Sequence, residues 1–317
     1  MAATITISEV GPRDGLQNEP DTLATSVRAE LVGRLTATGL HRIEAVSFVR
    51  DDVVPQMAGA EEVLAGFAAP DDVDVLGLVL NERGMARCLA TSSRPNLTLC
   101  VTDTFNRRNQ KASVSASLAA LGPLATRAHG RALRVTVTLA ASFGCPFEGA
   151  VSTSKVMRIA ETVAASADEI VFADTIGVAS PSQVRALVGV AVRDLDVPVG
   201  LHLHNTRNTG YANAFAGIEA GAQILDSSVG GIGGCPFAPG ATGNIATEDL
   251  LYLLDMEGVH TGVDIGRVIE VSQWLSGILG RALPGQLHRA GIGASYPEVT
   301  GSGSSSAKPA RPARVPS

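Results

Sequence analysis

Eight runs rich in Val, Ile and Leu recur along the chain, each followed by a segment of helical character, and this alternation restricts the fold more than any other feature. The runs fall near residues 4–9, 41–45, 73–80, 97–102, 133–140, 169–173, 199–202 and 223–228. Near-continuous apolar runs separated by helices belong to parallel strands covered on both faces, and eight such units predict a closed (β/α)8 TIM barrel. Helix starts are marked by Asp21-Thr22, by Ser152-Thr153-Ser154, and by Ser180-Pro181 with proline at the first helical position. Residues 264–283 predict an additional C-terminal helix packed against the barrel. From residue 301 the text turns to Gly, Ser, Pro and Ala with scattered Lys and Arg, which predicts a disordered tail over 301–317 behind one domain spanning 1–300.

The chain has 317 residues, of which 45% are apolar, so a barrel of about 250 residues fits as one core. A net charge of -6 gives no general attraction to nucleic acid or to an anionic membrane, and an anionic ligand would need a local basic cluster. The four cysteines, at 88, 100, 145 and 235, form no C-x-x-C and no regular spacing, which argues against a zinc ribbon or a disulfide framework. No apolar stretch reaches the roughly 18 residues of a membrane span, and no basic leader precedes the first strand, so a soluble, cytoplasmic protein is expected.

In a barrel of this kind the working residues stand at the carboxyl ends of the strands and on the loops that follow. Arg13 and Asp14 follow the first run, Glu44 ends the second, Asp174 follows the sixth, and His202 and His204 end the seventh. The eighth runs into a loop from 230 to 244 with six glycines, Cys235 and Asn244. His202 and His204, two apart in an extended strand, project to one side, where two imidazoles can share a cation. The competing reading is a pair of satisfied histidines at a strand end. Asp14 offers a carboxylate and Asn244 a carbonyl oxygen, although Asn244 also stands where a helix N-cap would be, ahead of Ala246-Thr247-Glu248-Asp249. Oxygen and nitrogen donors without a thiolate favour Mg²⁺ or Mn²⁺, with Co²⁺ or Zn²⁺ compatible. The glycine-rich loop is neither a Walker loop nor a G-x-G-x-x-G fingerprint, so no nucleotide cofactor is indicated. A Cys235 thiol with an ordinary pKa of about 8.5 would be protonated at neutral pH and suited to donating a proton, whereas Cys145, Cys88 and Cys100 read as structural.

These residues sit in longer matches: Glu9-Val-Gly-Pro-Arg-Asp-Gly-Leu-Gln-Asn, Glu44-Ala-Val-Ser-Phe-Val with Val54-Pro-Gln-Met, Gly144-Cys-Pro-Phe-Glu-Gly, Asp174-Thr-Ile-Gly-Val, and Gly233-Gly-Cys-Pro-Phe-Ala through Gly243-Asn-Ile-Ala-Thr-Glu-Asp-Leu. Over roughly residues 4–280 the chain resembles the 3-hydroxy-3-methylglutaryl-CoA lyase family of metal-dependent TIM-barrel lyases and synthases. The resemblance implies Asp14, His202, His204 and Asn244 as metal ligands. It implies Arg13 facing the thioester carbonyl, Glu44 and Asp174 supporting and polarising the site, and Cys235 as the thiol of a flexible loop. The implied reaction is retro-Claisen cleavage of a 3-hydroxyacyl-CoA, with HMG-CoA giving acetyl-CoA and acetoacetate as the type case. Asp14 or His202 is the implied base. A homo-oligomer acting on a small acyl-CoA, with no nucleic acid or membrane partner, is expected.

One stretch departs from the pattern: Asn205-Thr206-Arg207 stands where the lyases carry Asp-Thr-Tyr. A lyase for a related substrate such as citramalyl-CoA, or a condensing synthase of the same superfamily, is therefore the alternative, and the Gly-Gly-Cys-Pro loop favours the lyase. Arg107, Arg108 and Lys111, after the fourth run, are candidates for CoA phosphates, with a solvated helix start as the competing reading.

Overall fold

A computed structural model describes residues 5–234 and 243–293. Cys235, the middle of its loop and the tail from 301 lie outside these residues. The barrel strands are β1 (Thr6–Glu9), β2 (Arg42–Ser47), β3 (Asp74–Val79), β4 (Arg94–Cys100), β5 (Thr136–Ala140), β6 (Glu169–Asp174), β7 (Val199–Leu203) and β8 (Ile224–Ser227). Each pairs in parallel with its neighbours in chain order, and β1 closes the ring on β8 through the register Thr6↔Ile224 to Glu9↔Ser227. The predicted (β/α)8 barrel is the fold.

The fourth strand begins at Arg94, three residues before the expected Leu97. Hydropathy hid its start because Arg94 and Asn96 are polar, yet both are buried and partnered inside the barrel. The same alternation puts polar residues in the lumen elsewhere. At the N-terminal end, Arg42 of β2 donates to Glu169 of β6, across the ring, at 2.6 Å, and to Thr136 of β5 at 2.9 Å. One layer higher, Glu44 meets Asn96, and Asn96 meets Thr138. Bulky aliphatics usually fill these layers. Here the apolar core lies between strands and helices, where Ile43, Ala45, Val137, Leu139, Ile170, Phe172, Leu201 and Leu225 are fully enclosed.

The helix Thr153–Ala164 is capped by Ser152, and the helix Pro181–Asp194 carries a full capping box between Ser180 and Gln183. The first helix, Thr25–Thr36, starts later than Asp21-Thr22 suggested, and its N-cap position is Ala24, which offers no side-chain acceptor. The additional C-terminal helix is Ile265–Leu279, with Asp264 accepting from the Arg267 N–H at its start. Among the described residues no helix is long and apolar enough to cross a membrane.

Candidate metal centre

After β1 the chain makes a single tight turn, Gly11–Gly15, in which the N–H groups of Arg13, Asp14 and Gly15 all converge on the carbonyl of Val10. Glu9 anchors this turn. One of its oxygens accepts from the N–H groups of Gly11 (2.7 Å) and Val229 (2.9 Å), and the other accepts from the Thr247 hydroxyl at 2.6 Å. The turn thereby aims Arg13 and Asp14 over the C-terminal mouth.

There Arg13 donates through Nε (2.7 Å) and Nη2 (2.5 Å) to Glu44 Oε2, and through Nη1 (2.9 Å) to Asp14 Oδ1. Burial alone would weaken the guanidinium's hold on its proton, but the Glu44 and Asp14 carboxylates hold it above its ordinary value, so Arg13 is a permanent charge. Burial likewise pushes Asp14 up, and the guanidinium beside it, with His202 and His204, overcomes this and holds the carboxyl at about 2.

His202 and His204 come from the end of β7, and His204 makes an isolated bridge to Asn244 on the returning loop. His202 Nε2 lies 3.2 Å from His204 Nε2 and 3.8 Å from Asp14 Oδ2. Its Nδ1 lies 3.2 Å from Asp226 Oδ2, on the β8 residue in direct register with it. Burial, and then the neighbouring His202, lowers His204 to about 4. For His202, burial lowers the pKa but Asp226 and Asp14 raise it further, and the net direction is upward.

The residues fit a divalent cation. Donor atoms of Asp14, His202 and His204 all lie within 4.8 Å of one another. A proton on His202 Nδ1, facing Asp226, leaves the Nε2 lone pair turned toward His204 and Asp14, the arrangement of a carboxylate-backed histidine ligand. His204 Nδ1 and Asn244 Oδ1 are buried without a hydrogen-bond partner among the described residues. Asn244 is not the N-cap of the following helix, Thr247–Met256, which starts from Ala246; it donates instead to Asp14 Oδ2 (2.9 Å) and to the Ile232 carbonyl (3.0 Å).

Arg13, Asp14, Glu44, His202, His204 and Asn244 are thus gathered. Asp174, at the end of β6 beside the strand that carries His202, feels the charge of that histidine, and its oxygens accept from the N–H groups of Val178 (2.9 Å) and Ala179 (3.0 Å), which closes the loop after β6. Arg207 clamps the same loop from outside, with Nη1 at 2.9 Å from both the Ile176 and Gly177 carbonyls. Asn205 accepts from the Gly210 N–H at the start of the helix Gly210–Glu219. Cys145, Cys88 and Cys100 are buried, and burial pushes the Cys88 thiol up to about 11. Of the basic residues after β4, Arg107 pairs with Asp103 and Arg108 stacks over Phe147, 4.2 Å from the ring centre. A cavity of ≈ 550 Å³ opens beside Asn244, walled by Asn205, Tyr211, Asp249 and Gly285. Another, of ≈ 480 Å³, lies at the N-terminal end beside Arg42 and Glu169, far from the histidines.

Asp226, Asn96 and Thr138 were not among the residues the sequence singled out. The available signal was an acid inside the apolar run Ile224-Leu225-Asp226-Ser227, at the spacing that faces the lumen.

A closed eight-stranded parallel barrel with a carboxylate and two imidazoles converging at its C-terminal mouth defines a (β/α)8 protein whose Asp14, His202 and His204 could hold a metal ion. The sequence narrows this further: residues 4–275 match the HMGL-like family model, and the chain belongs to that family. Among its relatives, (R)-citramalyl-CoA lyase of Chloroflexus aurantiacus is 46% identical over 93% of this chain and 96% of its own length. Hydroxymethylglutaryl-CoA lyase of Pseudomonas mevalonii is 39% identical over 88% of this chain and 93% of its own. The structure of an HMG-CoA lyase from Acinetobacter baumannii, in complex with coenzyme A and 3-methylmalate, superimposes with a TM-score of 0.88 at 36% identity, covering 92% of this chain and 96% of that one.

Proposed function

We propose that the protein is a divalent-metal-dependent lyase that cleaves a branched 3-hydroxyacyl-CoA by a retro-Claisen step. The C2–C3 bond breaks, its electron pair passes into the thioester as an enolate, the 3-hydroxyl loses its proton to become the ketone of a keto acid, and a proton added at C2 completes acetyl-CoA. The sequence alone put HMG-CoA first. The match to (R)-citramalyl-CoA lyase, 46% against 39% for a hydroxymethylglutaryl-CoA lyase, supports the substrate that the sequence analysis gives as the alternative. Citramalyl-CoA, which would yield pyruvate, is therefore our first substrate and HMG-CoA our second.

The observation that carries the reading is the convergence of Arg13 on the Asp14, His202 and His204 group. Asp14, His202, His204 and the Asn244 carbonyl would hold the cation. When bound, that cation would supply Lewis-acid stabilisation to an oxygen of the substrate. Arg13, charged and fixed by two carboxylates, opposes the negative charge that grows on the thioester oxygen. The two candidate bases remain Asp14, whose oxygens are both hydrogen-bonded, and His202, whose Nδ1 faces Asp226 and whose Nε2 is the atom that would face the cation. Cys235 is assigned the return of a proton to carbon. Glu44 has both oxygens occupied by N–H donors and acts by holding Arg13. Asp174 acts by shaping the loop after β6.

The test is a panel of 3-hydroxyacyl-CoA thioesters assayed for acetyl-CoA release with and without chelator. Release from citramalyl-CoA above that from HMG-CoA, lost on chelation and in Arg13→Gln, is the expected result. No acetyl-CoA from any member, or an Arg13→Gln variant at parental rate, rejects the assignment.

A further inference from the structure

Inside the barrel, one run of hydrogen bonds is not used by the reaction as written. Thr138 on β5 donates through its hydroxyl to Asn96 Oδ1 at 3.0 Å, and Asn96 on β4 donates through Nδ2 to Glu44 Oε1 at 2.8 Å. The other oxygen of Glu44 receives Arg13 Nε and Nη2. The run therefore starts on β5, crosses β4 and β2, and ends on the guanidinium at the mouth. All four residues are buried: Thr138 is 8% exposed, Asn96 6%, Glu44 1% and Arg13 9%.

The chemistry gives this run one direction. A carboxylate only accepts, an amide has one donor end and one acceptor end, and a hydroxyl can do either. With the Thr138 hydroxyl donating to Oδ1, the amide must present its NH2 to Glu44. The reversed amide would set its oxygen against the carboxylate, two acceptors in contact in a buried site. Polar side chains at this level are costly in a layer that aliphatics commonly fill, and they are offset here because each is partnered.

We propose that Asn96, oriented by Thr138, is a positioning residue for Arg13: it fixes the Glu44 carboxylate, and that carboxylate fixes the guanidinium. Glu44 alone could rock about its side-chain torsions while keeping Arg13, and the third N–H donor from β4 removes that freedom. The role of Arg13 at the thioester rests on the reaction proposed above, whereas the coupling of Asn96 to Arg13 does not.

The experiment is a double-mutant cycle on kcat and KM with Asn96→Ala, Glu44→Gln and the pair together, alongside Thr138→Val and Thr138→Ser. Asn96→Ala is expected to lower kcat about 10- to 100-fold with KM changed less than about threefold. In the Glu44→Gln background the same substitution is expected to cost almost nothing further, because the route through Glu44 is already broken. Thr138→Val shifts kcat in the same direction and Thr138→Ser recovers it. Independent, multiplying losses in the double variant overturn the proposal, as does a loss confined to KM, which would place Asn96 on the substrate itself.

A second arm needs no turnover: the ¹⁵N-labelled Arg13 Nε–H resonance, identified by its disappearance in Arg13→Lys, is followed by NMR. It is expected to move and to exchange faster with solvent in Asn96→Ala and in Thr138→Val, and an unmoved resonance in both rejects the coupling. If no thioester is cleaved by the parent, the lyase reading fails while this arm still decides the proposal. Should Asn96→Ala fail to fold, Thr138→Val carries both arms.

Discussion

His202 Nε2 and His204 Nε2 face each other at 3.2 Å, a separation at which only one of the two nitrogens can carry a proton. If His204 donates across this gap, its Nδ1 is left as a buried acceptor without a partner; if its proton is on Nδ1, two lone pairs oppose each other. A divalent cation between them and Asp14 takes up both Nε2 lone pairs and so removes their opposition. Adding Mn²⁺ at about 100 times its Kd should stabilise the parent by about 2.7 kcal/mol, seen as a rise in Tm, and His204→Ala should abolish the rise. A variant that still shows the full rise would place the cation elsewhere.

Asp226 holds His202 by its far nitrogen, 3.2 Å away, and so sets which nitrogen is free to ligate. Asp226→Asn should weaken Mn²⁺ binding about 10- to 100-fold without unfolding the barrel, as titration calorimetry would report. Unchanged affinity would mean that the imidazole keeps its orientation without the carboxylate.

The sequence displayed the site in proportion to how local its signals are. The spacing of His202 and His204 follows from the strand period, and both side chains do project together; Ser152 and Ser180 cap the helices they were read to start. Asn96, Thr138 and Asp226 are not legible in the sequence, because their meaning is relational. Each is an ordinary polar residue until closure of the ring puts β4 and β5 beside Glu44, and β8 beside His202. The start of β4 is illegible for the same reason, since Arg94 is enclosed through Asp74, Glu169 and the Arg134 carbonyl, all of which come from other parts of the chain. Asp174 carries both kinds of signal: its place at the end of β6 brings it within electrostatic reach of His202, and its oxygens also accept from two backbone N–H groups of its own loop.

Arg207 ties the loop after β7 to the loop after β6, and Gly177 sits under it with a φ of +61° and no room for a Cβ, which would lie 2.8 Å from Thr206. These interlocked loops flank the histidines, so their spacing bears on which acyl group enters. Arg207→Tyr should change the ratio of kcat/KM for citramalyl-CoA to that for HMG-CoA by more than about fivefold while leaving Mn²⁺ affinity unaltered. Equal effects on both thioesters would remove Arg207 from the determinants of specificity.

Glu9 at the end of β1 and Glu248 in the first turn of the helix Thr247–Met256 are fully buried carboxyls that anchor the turns carrying Arg13 and Gly230, and burial pushes each up to about 7 from an ordinary 4.5. Glu248 accepts from the Gly230 N–H at 3.0 Å and from the Ser272 hydroxyl at 2.8 Å. A carboxyl whose folded pKa exceeds its unfolded one binds its proton more tightly when folded. Below pH 4.5 both states are protonated and the shift contributes nothing to the pH dependence. Between 4.5 and 7 the unfolded chain releases the proton while the folded chain keeps it, so stability falls as pH rises, and above 7 the slope vanishes. Each shift corresponds to roughly 3 kcal/mol over that window as an order of magnitude. Urea unfolding of the parent should therefore show its midpoint declining from pH 5 to pH 7, where ordinary carboxylates no longer titrate. Glu248→Gln mimics the protonated form, because its amide oxygen still accepts from Gly230 and its NH2 can donate to the Ser272 hydroxyl. That variant should be less steep over the same range and more stable than the parent at pH 8; a slope equal to the parent's would show that Glu248 is ionised in the folded protein throughout.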